Sequence, residues 1–106
     1  MIPKNKRLTI NLFKEVFLKG KSVFGPEISL VYIKQAEGVL PRFSFSVSKK
    51  VAKTAVLRNR IRRKAYSALS PLLKTFTAPI YGVFVVKKDI GALTIEEIRK
   101  RISALI

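Results

Sequence analysis

The sequence predicts an α+β domain in which three helices pack on a four-stranded sheet. Segments with a helical repeat of apolar residues are interspersed with runs rich in β-forming residues, in the order helix, strands, helix, strand, helix. A length of 106 residues suits a single domain, residues 1–106, and a hydrophobic content of 48% is enough for a core. This order of elements is typical of a two-layer sandwich of helices on a sheet.

The first part of the chain predicts a short helix followed by two extended pieces. Thr9 can cap the N-terminus of a helix over residues 10–19, and Gly20 suits the C′ position that ends it. The extended pieces cover residues 22–24 and 28–34 and are separated by a Gly-Pro pair.

The next strand, residues 42–48, alternates strictly between two kinds of side chain. Phe43, Phe45 and Val47 face one side, and three serines face the other: Ser44, Ser46 and Ser48. A row of small hydroxyl side chains leaves room for a ligand to lie across the sheet. A sheet face that is merely open to water is equally compatible with this pattern.

The most unusual feature is a cationic stretch over residues 48–68. It holds eight cations and no acid, and no Asp or Glu occurs anywhere between Gly38 and Lys88. Most charge runs are solvated faces, but such faces usually mix signs. Within a chain of net charge +16, from 22 Lys and Arg against 6 Asp and Glu, this pattern favours binding of a polyanion.

The second half of this stretch predicts a helix that begins after Thr54, whose side chain can cap it. Asn59 and Tyr66 should point away from the core, and Ser70-Pro71 should end the helix, with a short extra turn to residue 76. Four residues fall on the side that should face the core: Leu57, Ile61, Ala65 and Ala68.

The last part of the chain predicts a buried strand and an amphipathic helix. Residues 80–86 form a near-continuous apolar run, which indicates a central strand covered on both faces. Thr94 and Glu97 form a capping box for the final helix, and the cations at residues 99–101 should be solvated. The strand at residues 42–48, the basic helix and the strand at residues 80–86 form a possible βαβ unit, for which general rules predict a right-handed crossover.

The residue types exclude several kinds of chemistry. The chain has no Cys and no His, and its six acids form no obvious two-metal constellation, so we predict no catalytic residue and no metal site on the protein. No apolar run approaches the roughly 20 residues of a membrane span. The basic lead-in at residues 1–8 lacks the apolar stretch of a signal peptide. We expect a cytoplasmic protein without membrane association.

Four short motifs follow one another along the chain. They are Phe13-Lys-Glu-Val-Phe-Leu-Lys-Gly20, Ser46-Val-Ser-Lys-Lys50, Ala55-Val-Leu-Arg-Asn-Arg-Ile-Arg-Arg63 and Leu93-Thr-Ile-Glu-Glu97. Together they resemble the protein subunit of bacterial ribonuclease P, whose members share the patterns F-x-x-V-F-x-x-G, S-V-S-K-K and A-V-x-R-N-R-x-K-R. The arginine-rich motif in register after Ser-Lys-Lys is the most specific of them.

The resemblance implies a fold, a function and partners. The fold would be an α-β-β-β-α-β-α sandwich with a left-handed βαβ crossover, against the general rule. The chain would bind the ribonuclease P RNA subunit and precursor tRNA, and would assist removal of the 5′ leader. The RNA subunit would carry the active site together with Mg²⁺, and no obligate protein partner is predicted.

Charge pattern and resemblance together predict two sets of binding residues. The catalytic RNA would contact Lys49, Lys50, Lys53, Arg58, Asn59, Arg60, Arg62, Arg63 and Lys64. The leader would lie in a cleft lined by Phe13, Phe17, Ser46 and Ser48, with Tyr32 and Lys87 as the nearest matches to further family positions. An aromatic pair at i and i+4 is ordinarily core, but the resemblance favours a partly open wall for stacking bases.

The chain departs from the family pattern at several places. A gapless comparison puts Val31 where the family often has a strand Tyr, with Tyr32 next to it. Ala52 stands where the family usually has Gly, one residue is inserted between Lys50 and Ala55, and Tyr66-Ser67 replaces a common Arg-Glu pair. Composition alone fits a structural RNA-binding protein of ribosomal type equally well. A protein-only, metal-dependent nuclease is a second alternative, which the missing ligands disfavour.

Overall fold

A computed structural model describes residues 6–106, so most of the basic lead-in lies outside the described residues. The elements are α1 (Ile10–Lys19), β1 (Lys21–Val23), β2 (Ile28–Lys34), β3 (Arg42–Val47), α2 (Ala55–Leu73), β4 (Ile80–Val86) and α3 (Ile95–Ser103). They confirm the predicted order, and β2 and β4 have the predicted bounds.

The four strands form one sheet in the order β1-β2-β4-β3. The β1–β2 and β2–β4 pairs are antiparallel, whereas β3 and β4 are parallel neighbours joined through α2. Val83 and Phe84 are fully buried, which confirms β4 as a central strand. The α+β class and the βαβ unit are therefore confirmed, while the left-handed crossover stays a prediction of the family resemblance.

The two faces of the sheet have different coverings. Phe84 of β4 lies level with Leu30 and Phe45 in the neighbouring strands, and these side chains join α2 and α3 in the main core. Val83 lies level with Val31 and Ser44 on the opposite face, where α1 packs. The backbone N–H of Leu8, just before α1, donates to the Ser44 hydroxyl over 3.2 Å.

Gly20 ends α1 for a different reason from the predicted one. It occupies the C-cap in extended conformation, with φ −73° and ψ 156°, rather than a left-handed C′ position. A Cβ at this position would lie 2.5 Å from the Val16 carbonyl oxygen and 2.6 Å from Cγ1 of Val31. Glycine is needed because a Cβ would overlap the Val16 carbonyl and the Val31 side chain, not because the turn is left-handed.

The prediction that α2 ends at Ser70-Pro71 is wrong. The helix continues to Leu73 with Pro71 inside it, and the turn up to residue 76 is a direct continuation of α2, closed by the Phe76 N–H donating to the Leu72 carbonyl over 3.0 Å. Leu69 and Leu73 are both buried one turn apart, so continuing the helix extends its apolar side against the core. That packing outweighs the hydrogen bond that the proline removes near the end of the helix.

The predicted core side of α2 needs two corrections. Leu57 is 43% exposed instead of packed, whereas Tyr66, predicted to point outwards, is 6% exposed. The Tyr66 ring meets Phe45 edge-on, with ring centroids 4.9 Å apart. Ile61, Ala65 and Ala68 are buried as predicted, so α2 is covered from its second turn onwards, while Leu57 in its first turn is not.

The capping box that begins α3 is confirmed, but its cations are not simply solvated. The Thr94 N–H donates to Glu97, which lowers the pKa of that carboxyl. Arg99 donates through Nε to the Ala68 carbonyl of α2 over 3.0 Å, and Arg101 forms an ion pair with Glu27. These contacts connect α3 to α2 and to the residue before β2.

Candidate nucleic-acid interface

The predicted catalytic-RNA residues lie together at the start of α2 and in the turn before it. Thr54 caps the helix by accepting from the Leu57 N–H, as predicted. Six of the nine side chains are exposed, and three are partly buried: Arg58, Arg62 and Lys64. We call these nine residues the basic surface: Lys49, Lys50, Lys53, Arg58, Asn59, Arg60, Arg62, Arg63 and Lys64.

The cations of the basic surface form no ion pair with a described residue, although Asp89 borders the same cavity as Arg60 and Lys64. Across residues 6–106, the ion pairs join Arg99 to Glu96 and Arg101 to Glu27, and both lie elsewhere. The positive potential of this surface is therefore available to an external polyanion.

Arg58 has a structural role within this surface. Its Nη1 donates to the backbone carbonyls of Ala52 and Lys53, at 3.0 and 3.2 Å. These bonds hold the segment between β3 and α2 against the first turn of the helix. Ala52, which stands at the family's glycine position, is itself buried. Arg58 therefore positions the loop that presents the neighbouring lysines, in addition to contributing charge.

A cleft of about 500 Å³ opens on one side of the basic surface. It is lined by Arg7, Val56, Asn59, Arg62, Arg63 and Tyr66. The Asn59 side-chain oxygen accepts from Arg62, and Nε of Arg7 is buried without a partner among the described residues. The site prediction did not include Arg7. The only sequence signal for Arg7 was its position in the basic lead-in, because the spacing of residues along the chain does not indicate that it lies beside α2.

Lys64 lies on the other side of the helix. Its Nζ donates to the Gly91 carbonyl oxygen over 2.8 Å, in the loop between β4 and α3. A second cavity of about 620 Å³ lies here between α2 and that loop, and Arg60 and Lys64 are among its lining residues. The basic surface thus wraps around the helix, with Arg60 and Lys64 on one side and Arg62 on the other.

The predicted leader residues lie partly on the face of the sheet that α1 crosses. Phe13 and Phe17 stack on one another with ring centroids 5.8 Å apart, and Phe17 is 48% exposed. Ser46 lies level with Val85 on this face and is partly buried, and Ser48 is exposed beyond the end of β3. An aromatic pair of which Phe17 is exposed and Phe13 partly buried therefore lies on α1, beside the strand that carries Ser46.

Tyr32 and Lys87 are not placed together. Tyr32 lies level with Gly82 in the sheet. A Cβ at Gly82 would contact Leu30 and Phe43, so this pair of positions belongs to the core face. Tyr32 accordingly packs against the core and is partly buried. The structure does not bring it to the face that carries Ser46. Lys87 follows β4, and its ammonium lies 5.8 Å from the ring centroid of Phe24, an aromatic residue that the site prediction missed.

Two further observations concern metals and membranes. Within residues 6–106, no group of three or more His, Cys, Asp and Glu side chains could hold a metal ion. None of the helices described for these residues is long and apolar enough to cross a bilayer.

Comparison with known proteins decides the family. The model of the Ribonuclease P family matches residues 2–106. The chain belongs to this family. It is 33% identical over 88 residues to the ribonuclease P protein component of Bacillus cereus strain 03BB102, covering 83% of this chain and 76% of the relative. It is 32% identical over 78 residues to that of Microcystis aeruginosa, covering 71% of this chain but only 65% of the relative.

Solved structures of ribonuclease P proteins have the same fold. The Staphylococcus aureus protein at 2.0 Å matches with a TM-score of 0.76 and 24% identity, covering 94% of this chain and 91% of that one. The Thermotoga maritima protein matches with a TM-score of 0.78 and 18% identity, covering 93% of each chain. Membership of this family does not favour a role as a ribosomal-type structural protein.

Proposed function

We propose that this chain is the accessory subunit of a ribonuclease P ribonucleoprotein that removes the 5′ leader of precursor tRNA. The observation that carries the proposal is the basic surface on α2, which has no internal ion pair, in a chain of the ribonuclease P family. An RNA partner supplies the counter-charge that the fold itself does not provide.

The basic surface binds the catalytic RNA through its phosphates. Arg60 and Arg63 are exposed and can each grip a phosphate with two parallel hydrogen bonds, whereas the lysines act as point charges. Asn59 is held by Arg62 and can offer its amide N–H groups to a 2′-hydroxyl or a base edge. Arg58 keeps the loop before α2 in place, so that Lys49, Lys50 and Lys53 lie beside the helix.

The face beside α1 binds the single-stranded leader. Bases stack on the exposed side of the Phe13–Phe17 pair, and the small hydroxyl side chains of Ser46 and Ser48 leave room for the backbone. Stacking and backbone contacts add affinity for precursor over mature tRNA with little dependence on leader sequence.

The chemistry of cleavage belongs to the RNA subunit in this proposal. The described residues do not fit as a protein magnesium site, since no suitable group of acids is present among residues 6–106. We assign Mg²⁺ to the RNA components and derive no step from a protein-bound ion. The protein contributes by reducing repulsion between substrate and catalytic RNA phosphates.

Multiple-turnover cleavage of a precursor tRNA at low magnesium tests the proposal. Three reactions are compared: the protein alone, the ribonuclease P RNA of the same organism alone, and both together. We expect cleavage only, or much faster, with both. No gain over the RNA alone would overturn the accessory role, and cleavage by the protein alone would overturn the assignment of the chemistry to RNA.

A further inference from the structure

Phe24 is a conspicuous exposed aromatic residue outside the predicted sites. Its side chain is 81% exposed, compared with 48% for Phe17. It follows β1 directly, in the connection to β2. An exposed phenyl ring contributes almost nothing to the hydrophobic core, so its position offers a flat apolar surface to a partner.

Short contacts hold the segment around Phe24. The Gly25 N–H donates to the Ser29 hydroxyl over 3.3 Å, and the Lys87 N–H donates to the Glu27 carbonyl over 2.8 Å. The first contact anchors the connection to β2, and the second joins it to the end of β4. The Phe24 ring and the Lys87 ammonium, 5.8 Å from its centroid, are therefore presented together.

This pair continues the face that is proposed to bind the leader. Val85 lies between Ser46 and Ser29 on that face, and Lys87 follows Val85 by two residues along the same strand direction. Alternate residues of a strand point to the same side, so Lys87 extends this row beyond the end of β4. The Phe24 ring lies beside Lys87 at the end of the sheet and also borders a cavity against the C-terminal part of α3, so a strand of RNA that passes over Ser46 and Lys87 can reach it there.

We propose that Phe24 and Lys87 form a further nucleotide site, in which a base of single-stranded RNA stacks on the ring while its phosphate contacts the ammonium. The site rests on the proposed function, because its occupant is the continuation of the leader. An aromatic face beside a cation is the combination that binds single strands with little regard to sequence. The cationic character of the chain favours this occupant over a protein segment.

The test uses the reconstituted holoenzyme and the ratio of its affinities for precursor and mature tRNA. Leaders of increasing length carry a fluorescent purine whose emission falls on stacking. Phe24→Leu keeps an apolar side chain and removes the aromatic face, whereas Phe24→Tyr and Phe24→Trp keep that face. We expect Phe24→Leu to reduce the precursor preference at least about fivefold, the lower end for one base–aromatic stack, but only with leaders long enough to reach the site.

The controls separate this inference from the proposed function. Leu40→Ala changes another exposed apolar residue, 69% exposed, and should leave the preference unchanged. Phe24→Tyr and Phe24→Trp should retain both the preference for precursor tRNA and the fall in purine emission on stacking. If wild type has no precursor preference, the proposed leader face itself is wrong. If wild type prefers precursor and Phe24→Leu matches it, the leader face stands and the Phe24 site is overturned, which would leave a protein as the partner of this ring.

Discussion

The hydroxyl group of Tyr66 accepts a hydrogen bond from the backbone N–H of Phe45 over 3.3 Å, and this bond is buried. It joins the middle of α2 to β3, which is an edge strand of the sheet. The same two side chains meet edge-on. The helix that carries the basic surface is therefore attached to the strand that carries Ser46, which connects the two proposed RNA-binding regions.

Replacing Tyr66 with Phe should destabilise the protein by about 1–3 kcal/mol, because the Phe45 N–H would remain buried without an acceptor. Urea unfolding followed by circular dichroism measures the loss. Tyr81→Phe is the matched control, since it removes the same hydroxyl group from a side chain that is only partly buried. Equal stability of the two variants would contradict this role for Tyr66.

Replacing Arg58 with Ala should loosen the segment between β3 and α2. The carbonyls of Ala52 and Lys53 would lose their guanidinium donor, and faster amide hydrogen exchange over residues 49–54 should follow. Arg60→Ala removes the same charge from an exposed position and should leave exchange in this segment unchanged. The prediction fails if both variants exchange alike.

Replacing Arg60 with Ala should weaken binding to the catalytic RNA in a salt-dependent manner. Loss of one phosphate contact lowers the slope of log affinity against log salt by about 1. Lys74→Ala removes a cation from the far end of the same helix, about 21 Å along its axis, and should leave the slope unchanged. Filter binding over a range of salt concentrations gives both slopes, and identical slopes would argue against the assigned surface.

Replacing Gly20 with Ala should destabilise the protein by about 1–3 kcal/mol through overpacking. The new methyl group would fall within 2.6 Å of both the Val16 carbonyl oxygen and Cγ1 of Val31. Thermal unfolding measures the change, with Leu18→Ala as a control at a site that is 84% exposed. An unchanged melting temperature would show that α1 can shift away from the sheet at no cost.

The capping box of α3 should make stability depend on pH in the acid range. The Thr94 N–H lowers the pKa of Glu97 from its ordinary value of 4.5, so the carboxylate stabilises the folded state above 4.5. This contribution is lost as the pH falls through the lowered pKa of the folded protein. Glu97→Gln cannot titrate at this position. The difference in melting temperature between wild type and this variant should therefore be smaller below pH 4.5 than at neutral pH. A constant difference would contradict the assignment.

The elements with strong local signals were predictable from the sequence. Thr9, Thr54 and Thr94 cap the helices as their positions indicated, because capping depends on residues within one turn. The apolar run of β4 indicated its central position for a similar reason. The signal for the basic surface was equally local, since its cations are close together along one stretch of chain.

Features that depend on distant parts of the chain were not predictable in this way. The course of α2 through Pro71 and the burial of Tyr66 depend on where β3 lies, and helical spacing carries no information about that. Tyr32 faces the core because of its register with Gly82, and Arg7 reaches α2 only in the folded chain. Phe24 was missed because the sequence does not show whether an isolated aromatic residue between two strands is buried or exposed.

The absence of ion pairs from the basic surface, among residues 6–106, also has a consequence for the protein before assembly. Mutual repulsion among these cations raises the free energy of the compact chain, and mobile counterions relieve that repulsion. Moderate salt should therefore raise the melting temperature of the isolated polypeptide while it lowers its affinity for RNA. A partner that binds only the native state adds its own stabilisation. We therefore expect the free polypeptide to be less stable than the same chain bound to RNA.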